Sequence, residues 1–517
     1  MHTDARTLPN GSVLEADICI VGAGAAGITI ARELNHTPLK VIVLEGGGFE
    51  FDQKMQDLYR GEIVGQPYFP LQAAALHYFG GTTNHWAGWC STYEPIDFEQ
   101  RDWVPHSGWP IKRADLDPFY TRAAPILDIV PDKWSAGDWK NGDSQRVPLL
   151  NDSKLLWTKM WQFSPPTRMG PKYRSEIVSS PNVHLYTNAN VVEVVGNEGV
   201  NAVQSVRVRS FDGKEYSARA KRFVLCCHSI QNARLLLASN RQAKAGLGND
   251  NDLVGRYFME HFEMPCGELA LTRPASTATK LYEFTKLGGT PRGEIATTPL
   301  AQQQHRILHG TASIEAGNYG DPVLSTFQFL DTLTLKQQRE WEASGRRGPP
   351  PSSKGAASAP STSGPARFYH LTTRQEQAPN PDSRVTLSAE KDALGVPRAK
   401  LDWRVTDLDK HSMRTFYQIL GAEMGRTDTG RVQLKDWLLS DDKTWPSFIS
   451  GGWHHMGTLR MGTDPKESVT DPNCKVHGIN NLYIGGAAVY PTAGAVNPTL
   501  TLVALALRLA DHLKTLT

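Results

Sequence analysis

Cysteine is sparse in this 517-residue chain, and neither sign of charge dominates it. The six cysteines, Cys19, Cys90, Cys226, Cys227, Cys266 and Cys474, are scattered and include no Cys-x-x-Cys pair. That excludes a zinc-finger spacing and a disulfide scaffold, and favours a reducing compartment. It also excludes the redox-active cysteine pair of a flavin disulfide reductase. Lys and Arg number 55 against 53 Asp and Glu, a net charge of +2, so there is no basic field to draw in nucleic acid. The cations are spread along the chain and form no nucleic-acid-binding module. No stretch reaches the roughly 18 apolar residues of a membrane span, and residues 1–7 lack a basic start followed by an apolar run. The expectation is a cytoplasmic protein with no membrane span, unless a partner subunit carries it out.

What is present is concentrated near the C-terminus. One stretch reads Trp453-His454-His455-Met456-Gly457-Thr458, and a second runs from Pro491 to Asn497-Pro498-Thr499-Leu500. Asn followed by Pro is the dipeptide expected at a helix start, and the run after it is apolar almost all round, so a buried helix is predicted. Its unpaired N–H groups and the positive end of its dipole suit negative charge. His454 supplies a side chain that takes a proton near neutral pH. If extended, His454 and His455 face opposite ways, so only one of them meets the site.

The N-terminal region supplies a complementary half. Residues 17–21 form a short apolar strand, Gly22-Ala-Gly24-Ala-Ala-Gly27 opens a helix running to about Leu34, and a second strand over 40–44 ends on Glu45. In that context Gly22 makes a tight turn, Gly24 lets a pyrophosphate approach the backbone and Gly27 allows close helix packing. Glu45 is the acceptor for a ribose hydroxyl. Further on, Gly80-Gly81 would let backbone pass close to a flat ring, with His85 and Trp86 bordering it. Residues 102–120 read as packing and capping elements. A strand pair is predicted at 183–186 and 191–195, continuing through 206–208, and another strand over 221–227 leads directly into a helix from His228. Residues 344–366, rich in Pro, Ser and Gly, read as a mobile loop. Strands resume at 382–387 and 398–403, followed by a helix over 408–425. No internal repeat is visible.

Five separated blocks together resemble the glucose-methanol-choline (GMC) family of FAD oxidoreductases over nearly the whole chain. They are the Gly22-to-Glu45 fingerprint, Gly80-Gly81-Thr82-Thr83-Asn84-His85-Trp86, residues 251–261, residues 383–387 and the C-terminal pair. The details are most similar to the branch of pyranose oxidases and glycoside 3-oxidases. The resemblance implies an α/β fold in which a Rossmann-like FAD-binding domain (1–95, 180–262 and 451–517) is interleaved with an α+β substrate-binding domain. The latter (96–179 and 263–450) would carry an antiparallel sheet flanked by helices. It implies His454 and Asn497 as the catalytic pair, and FAD held by Gly22, Gly24, Gly27, Glu45, Gly80, Gly81, Asn84, His85, Val191, Gly486, Ala487, Pro498 and Thr499. Val191 would touch the adenine. A histidine aligned with His85 carries covalent FAD in some pyranose oxidases and not in others. No metal is expected, and an iron–sulfur cluster at Cys226-Cys227 lacks further cysteines nearby.

The implied reaction is oxidation of a sugar or glycoside ring hydroxyl, with C3 of a glucoside as the specific expectation. His454 would act as base and Asn497 would hold the substrate oxygen. Two alternatives stand beside it: oxidation of a non-sugar primary alcohol, and a non-catalytic flavin-binding protein. A plain NAD dehydrogenase would share the fingerprint but not the other four blocks. The electron acceptor, oxygen or another, and the oligomeric state are left open.

Overall fold

The computed structural model describes residues 1–272, 278–316, 368–441 and 443–516; the loop expected at 344–366 lies outside them. Among the described residues the largest sheet has eight strands and the next seven. Its main path runs His2–Asp4, Val183–Thr187, Val41–Leu44, Val13–Val21, Glu215–Leu225, Val203–Arg209 and Asn190–Gly196, and Leu482–Ile484 pairs with Glu215–Leu225. The first five strands and Leu482–Ile484 are parallel, while Val203–Arg209 pairs antiparallel on both its sides. Sequence explains the division. Val41–Leu44 is apolar at every position and wholly buried, as a strand covered on both faces must be, whereas Val203–Arg209 buries its three valines and leaves its polar residues partly or fully exposed.

One expectation needs correcting here. Val183–Thr187 and Asn190–Gly196 are consecutive in sequence but are not partners: the first lies between His2–Asp4 and Val41–Leu44, and the second pairs with Val203–Arg209. The short Asn188-Ala189 link does not form a hairpin: the Asn188 N–H donates to the carbonyl of Gly47 and the Ala189 N–H to that of Glu45, both outside the two strands.

A second sheet of seven strands is antiparallel throughout: Gly430–Leu434, His261–Leu271, Phe368–Glu376, Gly310–Ala316, Pro291–Thr297, Leu156–Phe163 and Trp89–Cys90. Two of its strands matter for function, since His261 opens one and Trp161 lies in another. A three-stranded sheet joins Arg384–Lys391, Pro397–Trp403 and Glu62–Gly65. The C-terminal helix Thr499–Thr515 buries Leu500, Val503, Leu507 and Leu513 and packs against the helices Ala25–Glu33 and Asp117–Ile126. No helix among the described residues is long and apolar enough to cross a membrane.

Candidate active site

The strand Val13–Val21 ends in Gly22, whose φ of +97° is open to glycine at little cost, and its N–H donates to the carbonyl of Leu44 at 2.8 Å. The chain then turns into the helix Ala25–Glu33. A Cβ on Gly27 would sit 1.9 Å from the carbonyl oxygen of Gly22, so the helix rests directly on the turn. A Cβ on Gly24 would meet nothing within 4 Å. Glu45, at the end of Val41–Leu44, is buried; its Oε2 accepts from the Ala23 N–H at 2.8 Å and its Oε1 from the Gly47 N–H at 2.9 Å. Burial raises the carboxyl's pKa above the usual range, against the pull of those two N–H groups.

This turn opens onto a cavity of 240 Å³. Gly22, Gly24, Glu45, Gly81, Val191, Gly486, Ala487, Pro498, Thr499 and His454 all line it. Gly27 serves packing rather than lining. Gly80, Asn84 and His85 fall outside the lining: Asn84 Nδ2 donates to the Phe79 carbonyl at 2.9 Å, and the His85 ring stacks on Trp453 with centroids 5.6 Å apart. Of the pair expected to border a ring, Trp86 is on the wall and His85 is behind it.

The cavity fits a flavin dinucleotide on its own chemistry. Gly24 leaves space against the backbone, and the helix Ala25–Glu33 starts with no acidic residue in its first turn and no side-chain cap, so its N–H groups are available to a pyrophosphate. Glu45 retains lone pairs for ribose hydroxyls. In the lining, His228 Nδ1 is buried with no protein partner among the described residues, and His228 is held at φ 76°, an uncommon conformation for a side chain of that size.

Of the two C-terminal residues expected to form the catalytic pair, His454 lines the cavity and Asn497 lies outside the lining. Asn497 Nδ2 lies 3.1 Å from His454 Nε2. The helix behind Asn497 begins one residue later than the dipeptide predicts. Pro498 occupies the cap position of Thr499–Thr515, and the Asn497 side chain makes no capping bond. Its Oδ1 instead accepts from Trp161 Nε1 at 3.1 Å, a partner 336 positions away that outcompetes local capping. His454 Nδ1 lies 2.9 Å from His261 Nδ1, and His261 Nε2 lies 3.0 Å and 2.8 Å from the carbonyls of Ala493 and Gly494. Glu263 Oε1 is 3.8 Å from His454 Nδ1 and accepts from Arg374 Nε at 2.7 Å. Burial first, then the neighbouring His261 and Arg374, holds the His454 imidazole well below its ordinary pKa.

His455 lines the cavity as well, contrary to the expectation that only one of the two histidines meets it, although its side chain has partners of its own. Its Nδ1 is 2.6 Å from His228 Nε2, and the Tyr68 hydroxyl bridges its Nε2 and the carboxylate of Glu260. Glu260 Oε1 accepts from the backbone N–H groups of both His454, at 2.6 Å, and His261, at 2.9 Å. One buried carboxyl, pushed up to about 8 by desolvation, thus anchors the backbone of both histidines. Sequence reading missed His261, Glu260 and Trp161 as site residues. The only signal was that His261 closes the block 251–261, which carried no role of its own.

The chain is similar to known oxidoreductases. Residues 379–506 match the family model described as GMC oxidoreductase, and residues 17–245 match that described as FAD dependent oxidoreductase. The chain is 24% identical to 2-methyl-1,2-propanediol dehydrogenase of Mycolicibacterium austroafricanum, covering 96% of this chain and 95% of that one. It is 22% identical to the large subunit of fructose dehydrogenase of Gluconobacter japonicus, covering 97% and 98%. It is 23% identical to C-glycoside 3-oxidase of Microbacterium trichothecenolyticum, covering 87% and 77%. The fold is shared with the crystal structure of formate oxidase, at a TM-score of 0.57 and 16% identity over 98% of this chain and 99% of that one.

Proposed function

Because the chain is a GMC-type FAD-dependent oxidoreductase acting on CH–OH groups, we propose that it oxidises a ring hydroxyl of a sugar or glycoside, C3 of a glucoside in particular, to the ketone. The observation that carries the reading is the 3.1 Å approach of Asn497 Nδ2 to His454 Nε2, with His454 lining the same cavity as the Gly22 turn and Glu45. The choice of a sugar rests on the relatives that act on fructose and on C-glycosides.

Bound FAD would supply the hydride acceptor, held by Gly22, Gly24, Glu45, Val191 and the Pro498-Thr499 helix start. The chain's own residues handle the proton and the geometry. His454 Nε2 takes the hydroxyl proton as the C–H bond breaks. Asn497 Nδ2 donates to the substrate oxygen and holds the carbinol so that its C–H points into the cavity. Glu260 fixes the backbone of the base through the His454 N–H.

A base must be neutral to act. With the His454 pKa held well below 6.5, Nε2 is available above that lowered value and is lost only as pH falls through it. The rate of flavin reduction should therefore stay level from pH 8 through 6.5 and decline only in more acidic solution. An acid limb centred at or above 6.5, read by anaerobic stopped flow, would contradict the base assignment.

Substrate class is tested by a panel of glucosides, free sugars and simple alcohols under a dye acceptor. Turnover of a pyranoside to a 3-keto product, read by NMR, is expected. Turnover confined to choline, diols or aryl alcohols would replace the sugar reading with the non-sugar alcohol reading, for which the propanediol dehydrogenase relative is the precedent.

A further inference from the structure

Five groups from four parts of the chain lie in one hydrogen-bonded row: Trp161, Asn497, His454, His261 and the carbonyls of Ala493 and Gly494. Both ends of the row have fixed chemistry. Carbonyl oxygens only accept, so His261 Nε2 must carry the proton that reaches Ala493 and Gly494. A neutral imidazole has one N–H, so His261 Nδ1 is bare and accepts. Burial, which lowers the His261 pKa to about 4, keeps that ring neutral. His454 Nδ1 is thereby the donor across the 2.9 Å contact, and its Nε2 carries the lone pair.

The other end gives the same answer independently. An indole N–H only donates, so Trp161 Nε1 fixes the Asn497 amide with Oδ1 toward Trp161 and Nδ2 toward His454. The Nδ2 group only donates, so the atom facing it, His454 Nε2, accepts. The two ends impose one polarity on every bond between them, and no other assignment satisfies all five groups.

We propose that His261 is a positioning residue for the reaction: it fixes the proton of His454 on Nδ1, so that Nε2 keeps its lone pair, which accepts from Asn497 Nδ2 until the substrate hydroxyl takes that place. This rests on the reading of His454 as the base. Trp161 performs the matching task for Asn497, turning the donor end of the amide toward the place where the substrate oxygen sits. Both residues belong to the seven-stranded sheet, in strands His261–Leu271 and Leu156–Phe163, so one sheet orients both members of the catalytic pair.

The test uses FAD-loaded enzyme labelled with ¹⁵N-histidine, the His454→Gln variant serving to identify the His454 signals. Parent enzyme at pH 8 should show a protonated Nδ1 and a bare Nε2 at His454. His261→Phe removes the acceptor, and the two ring nitrogens should then average toward a tautomer mixture. His261→Asn places Oδ1 near the lost Nδ1 and should restore the single tautomer, although it loses the bond to the Ala493 and Gly494 carbonyls. A purely structural role predicts the reverse order, with His261→Gln, which keeps a donor near Nε2, the better rescue.

With methyl β-glucopyranoside as reductant, His261→Phe should slow flavin reduction by about 10- to 10⁴-fold, the upper figure being that of a histidine held wholly in the wrong tautomer. A parent signal with the proton on His454 Nε2, or an unchanged single tautomer in His261→Phe, overturns the proposal. If His261→Phe does not retain FAD, the parent spectrum and His261→Asn decide the matter alone. If instead His454→Gln reduces at the parent rate, the base reading falls while the tautomer is still read directly, so the two failures are distinguishable.

Discussion

Replacing His454 by Gln is expected to slow reduction of the bound flavin by about 10²–10⁴-fold, the usual contribution of a general base, while the protein still purifies yellow. Glutamine has nearly the reach of imidazole and keeps an amide to meet Asn497 or His261, so the wall is not emptied; what it lacks is a lone pair basic enough to take a hydroxyl proton. FAD should remain because its contacts come from elsewhere. The Gly22 turn, Glu45 and Val191 belong to the eight-stranded sheet and its loops, and none of them is bonded to the His454 side chain. The anchor from Glu260 goes to the His454 backbone N–H, which the substitution leaves in place. The paired readout is flavin content by absorbance and the reduction rate under anaerobic stopped flow. Loss of rate together with loss of flavin would mean that His454 holds the cofactor rather than the proton.

The second large effect is expected at Gly27. A methyl group there would stand 1.9 Å from the Gly22 carbonyl oxygen, and that oxygen cannot retreat. Gly22 is tied by its N–H to Leu44, and any Cβ on it would in turn lie 2.7 Å from the Cys226 carbonyl. Gly27→Ala must therefore push the helix Ala25–Glu33 away from the turn. Overpacking of this kind costs about 1–3 kcal/mol. If that falls on the arrangement of helix N–H groups that a pyrophosphate needs, FAD affinity drops by about 5- to 150-fold. Gly24→Ala is the informative contrast. Its methyl meets no protein atom within 4 Å, so the cofactor-free protein should keep its stability, yet the methyl projects where the pyrophosphate would approach. Titration of both variants with FAD, beside thermal unfolding of the FAD-free forms, separates the two. Gly27→Ala should lose stability and affinity, and Gly24→Ala affinity alone; equal behaviour of the two would refute the assignment of distinct roles.

These two sites also mark how far the sequence could be read. The glycine turn was legible because everything that defines it is local. The flanking strands are apolar runs, the glycines sit where the helix meets the turn, and Glu45 follows the second strand at once. Gly22 makes the turn and Gly27 the close helix contact that their spacing predicts, and Gly24 leaves open space beside the turn. Asn497 was half legible. Its place beside the flavin cavity followed from the C-terminal block, but the local rule for Asn-Pro made it a helix cap, and Trp161 takes its side chain instead. His261, Trp161 and Glu260 were illegible as site residues, because each acts across more than a hundred residues of chain through strands of a sheet that no spacing in the sequence encodes. The strand Val183–Thr187 went astray for the same reason. Its parallel partners, His2–Asp4 and Val41–Leu44, come from far upstream, whereas adjacency suggested a neighbour only a few residues on. His85 and Asn84, carried into the cofactor set by resemblance, lie outside the cavity lining, where His85 backs Trp453.

The pairing of an imidazole and a carboxamide over the flavin is tested most directly by a crystal structure of the FAD-loaded protein. A carbinol that touches both a base and a hydride acceptor makes contacts of about 3–3.5 Å to each, so the gap between them should be no more than about 7 Å. The account predicts that flavin N5 and His454 Nε2 face the same small void across such a gap, with Asn497 Nδ2 at its rim. A ring bound with N5 turned away from His454, or separated from it by a distance no single carbinol can bridge, would contradict it.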